Sequence, residues 1–490
     1  MIKHTFRTFI FLYFFIKYKK SIGKSGNTAA ALKLERFIKK ERGVFLKMCQ
    51  YLGTNDKHHQ IIKDLSFQKS EVLSREKIKR IIEESGVQFP ETYTVGECIA
   101  SASIGQVNAI DAESPKVIKL KFPGLDNQIK YQQSILKILP KKIIKKKTSI
   151  DINDYGRMIE SLLKKECDFK NEANMHSHIF SLVTDNNHFR IPRIYKNQSC
   201  EHFIVSERLF PTTDDNIKIF SKRYSENLAF TYLHLLALGF TQGDSNHGNF
   251  LFLSDQKIGV IDFGQFYQFP NEFVGSLTSL IKKLRSEEDF DDFEYYKAMG
   301  FKPEILEMIR PHLRMLSMIL FEPFIVNKSF NLQNWDYVLK INSILGQKKW
   351  LFRSAGGDEF FMIIKSFVGL KNLMIKVGAN VNWYQIFDEI FHSSQLIEPI
   401  IEGHKAVSVN QARWVQVSIR DNQKIDKEFK VSLAEVFRLE SFFPEKVKVQ
   451  LDSKGISLNE ICSEVLKSGS APCELVSFEV DNKEYFISLI

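Results

Sequence analysis

Residues 240–264 read FTQGDSNHGNFLFLSDQKIGVIDFG, and no other stretch restricts the fold and chemistry of the chain as tightly. Asp244 and Asn249 are five apart, and Asp262-Phe263-Gly264 follows with Asp262 eighteen residues beyond Asp244. Two short apolar runs between them, 250–253 and 257–261, read as a β-hairpin. Two carboxylates and an amide are thereby gathered around one hairpin. Phosphoryl transfer uses this residue set: one Asp lies near the attacking oxygen, while the Asn and the other Asp hold a Mg²⁺ that bridges nucleotide phosphates. Either Asp alone reads as a surface turn residue, whereas the ordered set D-x4-N…DFG is far more specific.

At 490 residues, with 44% apolar and 26% charged, the chain has ordinary globular composition and room for several domains. Its six cysteines (49, 98, 167, 200, 462, 473) are scattered with no C-x-x-C, which suits a reducing compartment and argues against a disulfide framework or a zinc site. The net charge of +10 is local. Residues 1–50 hold twelve Lys or Arg and two Glu, so residues 51–490 are near neutral and no nucleic-acid partner is expected. The run TFIFLYFFI at 8–16 falls short of the roughly 20 apolar residues a spanning helix needs. Lys17, Lys19 and Lys20 separate it from the nearest small residues, unlike a signal peptide. No acidic residue precedes Glu35, so an organelle transit peptide is compatible with residues 1–34. An aromatic segment beside Lys also suits a membrane interface, or a helix packed on its own protein. The expected location is cytoplasmic or peripheral on the inner face of a membrane, or in an organelle, and not secreted.

Along the chain, residues 27–53 (Leu34, Phe37, Ile38, Phe45, Met48) and 66–85 show helical spacing. Strand-like runs follow at 93–99, 105–110 and 117–122, then helix at 125–139 and 151–182, a short strand from Phe203 ending at Glu207, and an apolar helix at 222–239. From Pro270 to about His392 nearly everything reads as helix. Few strands followed by many helices predict an α+β, two-lobed protein-kinase-like fold. After residue 395 the pattern changes: Val415, Val417 and Ile419 alternate, as do Val447, Val449 and Leu451, and Asp481-Asn482 reads as a hairpin turn. The expected domains are an N-terminal helical extension (1–85), an N-lobe (86–209), a helical C-lobe (210–395) and a small α+β domain of unknown role (396–490).

Lys119 sits inside an apolar strand, Val117-Ile118-Lys119-Leu120, where an ammonium needs a partner. Acids follow in Glu166-Cys167-Asp168 and Glu172; on a helix Asp168 and Glu172 would share a face, with Glu166 turned away. The place of a phosphate-covering loop holds Ala100-Ser101-Ala102-Ser103-Ile104-Gly105-Gln106-Val107, with one Gly.

Together these motifs resemble the UbiB family of atypical kinases, the AarF-domain, coenzyme Q-associated proteins. That family has an Ala-rich A-A-A-S-I-G-Q-V loop, a strand Lys before Pro-Gly (Lys119, then Pro123-Gly124), E-x-D…E-A-N (Glu166 to Asp168, Glu172 to Asn174), and a K-x-G-Q extension, here Lys47-Met48-Cys49-Gln50. Departures are Cys49 for Gly, Ser101 for Ala, and Gln242 where most members have His. The resemblance covers roughly residues 30–395. It implies that ATP and Mg²⁺ are the cofactors, that Lys119 contacts phosphates and pairs with Glu172, and that Ala100, Ser101, Ala102 and Ser103 cover the nucleotide. It implies further that Glu207 lies at the adenine-facing hinge, that Asn249 and Asp262 hold Mg²⁺, and that Asp244 is the catalytic Asp. Lys47 and Gln50 would fold over the site, with Lys47 near Glu166 and Asp168.

After DFG the chain reads Gln265-Phe266-Tyr267-Gln268-Phe269-Pro270 with no A-P-E, so a peptide-docking platform is not expected. The expected function is a Mg²⁺-ATP-binding atypical kinase or ATPase supporting coenzyme Q or other membrane-lipid metabolism rather than phosphorylating proteins. The alternatives are a pseudokinase scaffold and a small-molecule phosphotransferase of the aminoglycoside or choline kinase type. Expected partners are nucleotide, an anionic membrane surface met by residues 1–25, and a lipid or small-molecule substrate. Vesicle sedimentation tests the membrane partner. Binding to anionic vesicles should weaken as salt rises, since each juxtamembrane Lys or Arg contributes on the order of 1 kcal/mol, and deleting residues 1–25 should abolish it.

Overall fold

The computed structural model describes residue 13 and residues 72–89, 92–101, 104–125, 167–183, 186–243, 247–286, 288–392, 411–421, 424–467, 469–481 and 483–490. The helical readings at 27–53 and 125–139, and Lys47, Gln50, Ala102, Ser103, Glu166 and Asp244, lie outside the described residues. The chain is α+β and divides into two compact units. The first comprises Met1–Asn186, Arg190–Phe210 and Gly259–Gln265; the second comprises Asn187–Phe189, Pro211–Ile258 and Phe266–Ile490. The DFG segment thus groups with the first unit, although its chain neighbours on both sides group with the second.

The first unit is built on a four-stranded antiparallel sheet. Its strands are β1 (Thr94–Ser101), β2 (Gly105–Asp111), β3 (Lys116–Lys121) and β4 (Phe203–Glu207), in that spatial order. Helix α1 (Arg75–Glu84) covers one face. Ser74 caps it by accepting from the Lys77 N–H, and Ile78 and Ile82, four apart, point inward. They pack against Val95, Ile110, Ile118, Leu120, Phe203 and Val205. Each fully buried aliphatic side chain contributes about 1.5–3 kcal/mol.

Strand periodicity then sends Lys119 to the opposite face from Ile118 and Leu120. Helix α2 (Phe169–Leu182) is also in this unit, and its buried residues Phe169, Glu172, His176 and Ile179 recur at helical spacing. Two residues of the Ala-rich motif are structural. At Gly105 a Cβ would come within 2.1 Å of the Leu120 carbonyl oxygen, so only glycine lets β2 and β3 close up. Gln106, buried, accepts from the Leu73 N–H (2.6 Å) and donates to Asn108 Oδ1 (2.7 Å), tying the chain before α1 to the sheet.

In the second unit, helix α3 (Ser221–Ala237) is buried on most sides, as its apolar sequence requires. It leads to β5 (Phe240–Gln242), which pairs antiparallel with β6 (Phe266–Gln268). The chain after DFG therefore runs straight back into sheet, and helix α4 (Asn271–Arg285) begins after Pro270. The last described segment forms a second four-stranded antiparallel sheet. Its strands are β7 (Trp414–Asp421), β8 (Lys424–Ser432), β9 (Cys473–Val480) and β10 (Lys483–Leu489), arranged β8-β7-β10-β9. Asp481, at φ 54°, turns β9 into β10.

The alternation Val447, Val449, Leu451 does not make a strand. These residues lie in a helix, Glu445–Ser453, with Val447 and Leu451 buried and Val449 exposed. Burial at i and i+4 is the helical period, and Pro444 with Glu445 opens the first turn.

Buried charge joins this segment to the helices of the same unit. Glu322 is 4% exposed and accepts from Lys340 (2.6 Å) and Arg438 (2.7 Å), while Lys340 also donates to the Ala434 carbonyl (3.2 Å). Glu322→Ala would leave two cations without their anion. It should cost about 3–5 kcal/mol, read as a lower denaturation midpoint, whereas Lys218→Ala in the exposed Lys218–Asp215 pair should stay within about 0.5 kcal/mol.

Candidate functional site

In the first unit β3, α2 and the DFG segment bring three charged side chains to one point. Lys119 Nζ donates to Glu172 Oε1 at 2.6 Å and lies 3.5 Å from Asp262 Oδ2. It also stands over the Phe169 ring, 5.5 Å from the centroid. Glu172 is buried at 4% exposed, whereas Asp262 keeps 32% of its side-chain exposure and can meet a ligand. Glu172 Oε2 has no hydrogen-bond partner among the described residues and lies against Gly264. A Cβ at Gly264 would sit 3.2 Å from that oxygen and 3.4 Å from Asp262 Oδ1, so the third residue of DFG has to be small for the carboxylates to approach. The Gly264 N–H donates to Asp262 Oδ1 at 3.0 Å and fixes its rotamer.

Burial pushes the Glu172 carboxyl up to about 7, and the Asp262 carboxylate adds to the rise, while the Lys119 ammonium and the Phe263 N–H pull against it. Asp262, about a third exposed, thus presents its carboxylate beside the Lys119 ammonium. That donor set fits a Mg²⁺-nucleotide. Mg²⁺ takes one or two carboxylates and completes its shell with water and phosphate oxygens. Among the described residues no group of three or more His, Cys, Asp or Glu converges as a self-sufficient metal cage.

The other expected site residues stand as follows. Asp168 does not share the Glu172 face of the helix. It is the N-cap, outside the helix at φ −89°, and accepts from the Asn171 N–H at 2.9 Å. Its short carboxylate satisfies an orphan N–H there, which a helical position would not allow. Ala100 and Ser101 end β1, opposite Val107 and Gln106, and the Ser101 hydroxyl is buried without a hydrogen-bond partner among the described residues. Glu207 ends β4 with its groups engaged: Arg190 Nη2 and the Arg193 N–H bond its carboxylate, and its own N–H donates to Arg193 O at 2.8 Å. Asn249 is in the second unit, buried at the end of the turn His247–Asn249.

One participant escapes a motif reading. His176, four residues after Glu172 on α2, stacks on the DFG residue Phe263, with ring centroids 4.2 Å apart and planes at 14°. The signal for it is present in the spacing of Phe169, Glu172, His176 and Ile179, a helical face too regular to be solvated.

A family model described as the ABC1 atypical kinase-like domain matches residues 67–292. The mitochondrial atypical kinase COQ8 of Saccharomyces cerevisiae is 25% identical over 381 residues, covering 72% of this chain and 74% of its own length. The mitochondrial atypical kinase COQ8B of Rattus norvegicus is 21% identical over 376 residues, covering 72% and 70%. Among solved structures, the erythromycin complex of Rv3197 from Mycobacterium tuberculosis superposes with a TM-score of 0.45 at 17% identity, over 76% of this chain and 97% of that one.

The raised Glu172 pKa fixes a sign for stability. Folded Glu172 holds its proton up to about pH 7, while the unfolded side chain, at 4.5, has released it. The folded state therefore binds more protons in that window, and the Glu172 contribution to stability falls as pH rises from 4.5 through about 7. Glu172→Gln cannot titrate. The stability of Glu172→Gln relative to the wild type should rise with pH across that window and level off above it, measured by denaturant unfolding at a series of pH values.

Proposed function

Because an ABC1 atypical kinase-like domain model matches residues 67–292, we propose that the Lys119–Glu172–Asp262 site binds Mg²⁺-ATP and works as an atypical kinase or ATPase. The observation that carries this reading is the Lys119 ammonium held between Glu172 and Asp262 at 2.6 and 3.5 Å. Lys119 would contact the nucleotide phosphates, with Glu172 aiming it from the helix. Asp262, about a third exposed and rotamer-locked by the Gly264 N–H, would hold the metal, the role the family resemblance also gives to Asn249. Bound Mg²⁺ would neutralise charge developing on the transferred phosphoryl oxygens. Asp244 would serve as the catalytic Asp near the attacking oxygen. Ala100 to Ser103 take the place of the phosphate cover, and Glu207 that of the adenine-facing hinge. Lys47 and Gln50 would regulate access, with Glu166 and Asp168 as the acidic partners of Lys47.

Little covalent chemistry is asked of the protein; positioning and electrostatics supply the acceleration. The return of the chain into β6 and Pro270 directly after DFG favours a lipid or other small acceptor, or ATP hydrolysis, over a protein acceptor. The relatives' mitochondrial names support the organelle-targeting reading of residues 1–34 and a role in coenzyme Q or other membrane-lipid metabolism. Among the described residues no helix is long and apolar enough to cross a membrane.

Mg²⁺-ATP at a hundredfold excess over Kd should stabilise the protein by about 2.7 kcal/mol through mass action, seen as a higher Tm. Asp262→Asn should remove the part of the rise that depends on Mg²⁺. A wild-type chain whose Tm does not respond to Mg²⁺-ATP refutes the proposal. Turnover lost on Asp244→Asn separates an enzyme from a nucleotide-binding scaffold.

A further inference from the structure

Helix α5 (Asp358–Val377), in the second unit, carries an apolar stripe on its solvent side. Its inner face is Ile363, Ser366, Leu370, Leu373 and Val377, all buried. Its outer face holds Phe361, Val368 and Ile375, which are 42%, 38% and 43% exposed. These three are seven apart, and seven residues fall about 20° short of two helical turns, so they form one nearly straight line. The outer face of a helix is normally polar, and a seven-residue apolar repeat is the spacing of a seam between two helices. The charges beside the stripe are ordered as well. Asp358 and Lys376 are both exposed and eighteen residues apart, five full turns of helix. They therefore share one flank of the stripe, acidic at its start and basic at its end. Lys371 is occupied within its own unit, where it donates to the Trp335 carbonyl at 3.0 Å.

We infer that α5 is a self-association surface, on which a second copy of the chain docks its own α5 antiparallel. Two-fold symmetry makes the contact self-complementary. It sets Val368 against the partner's Val368, and Phe361 against the partner's Ile375 on either side of the axis. In the same register Asp358 faces the partner's Lys376, and Lys365 faces the partner's Asn372. Parallel docking would instead set Asp358 against the partner's Asp358 and Lys376 against the partner's Lys376, so charge selects the antiparallel pair. The opposite face of α5 ties this seam to the strands beside the DFG segment. The Thr241 hydroxyl on β5 donates to Ser366 Oγ, and the Tyr267 hydroxyl on β6 donates to Glu359 Oε1 at 3.1 Å. Strand β5 runs directly into Gly243-Asp244. The helix that meets the partner therefore also braces the strand leading to the candidate catalytic Asp.

A seam of one helix, about 30 Å long and about 10 Å wide, is small for a specific interface, so the dimer should have a Kd on the order of micromolar. Sedimentation velocity of the full chain between about 0.1 and about 100 μM reads it, and the wild type should pass from monomer to dimer across that range. Val368→Glu sets two carboxylates on the two-fold axis and should stay monomeric throughout. Asp358→Lys and Lys376→Glu should each weaken the dimer about fivefold, and the double variant should return to within about twofold of the wild type, because reversing both ends restores each pair. Should Val368→Glu not fold, the charge reversals carry the test alone. Deleting residues 1–25 should leave the dimer intact. The inference is overturned by a wild type that stays monomeric at about 100 μM, by a dimer that survives Val368→Glu or is lost with residues 1–25, or by a double reversal no better than the single ones. None of these readouts involves nucleotide, so the Mg²⁺-ATP proposal stands or falls separately.

Discussion

An ammonium inside a sheet has to be met by a carboxylate, and the first unit is arranged around that requirement. Lys119 lies on β3, whose alternate residues Ile118 and Leu120 are fully buried against α1. The strand cannot slip without moving those two residues to the wrong face, so the position of Lys119 is set by the core on the other side of the sheet. Helix α2 then has to present Glu172, and the DFG segment has to present Asp262, from points more than fifty and more than a hundred residues away along the chain. Leaving the lysine without either would strand a charge at a cost of several kcal/mol.

A comparison within the molecule separates structural charge from working charge. Glu322 is as buried as Glu172, and both its oxygens are engaged, one by Lys340 and one by Arg438. Glu172 engages Lys119 through one oxygen and leaves the other, against Gly264, without a hydrogen-bond partner among the described residues. Buried polar atoms are normally satisfied, and the exceptions tend to mark sites with a function. The raised pKa of Glu172 has the same origin: burial and a neighbouring carboxylate outweigh the one ammonium.

What could be read without coordinates depended on the range of the forces involved. The strands at β1 to β3 and the apolar helix before β5 follow from local periodicity. Local rules misled where two periods overlap. Val447, Val449 and Leu451 satisfy a strand pattern, but Val447 and Leu451 also satisfy a helical one, and packing chose the helix. Asp168 and Glu172 share a face only if both are helical. The capping preference of Asp placed the first outside the helix. Gln106 looked like part of a phosphate loop, and the structure shows its side chain bonded to Leu73 and Asn108.

The sequence by itself determined the residue types and their order: a strand lysine, a helix acid and a DFG, with an Ala-rich segment in place of a glycine-rich loop. These are chemical requirements, and they survive as patterns because the groups cannot be exchanged for others. Only the tertiary structure decided which of them meet. It put Glu172 and Asp262 on either side of Lys119, made Gly264 a matter of space rather than flexibility, and placed His176 against Phe263. Those relations depend on segments brought together by folding and on the burial that alters their electrostatics. No spacing along the chain encodes a distance through the core.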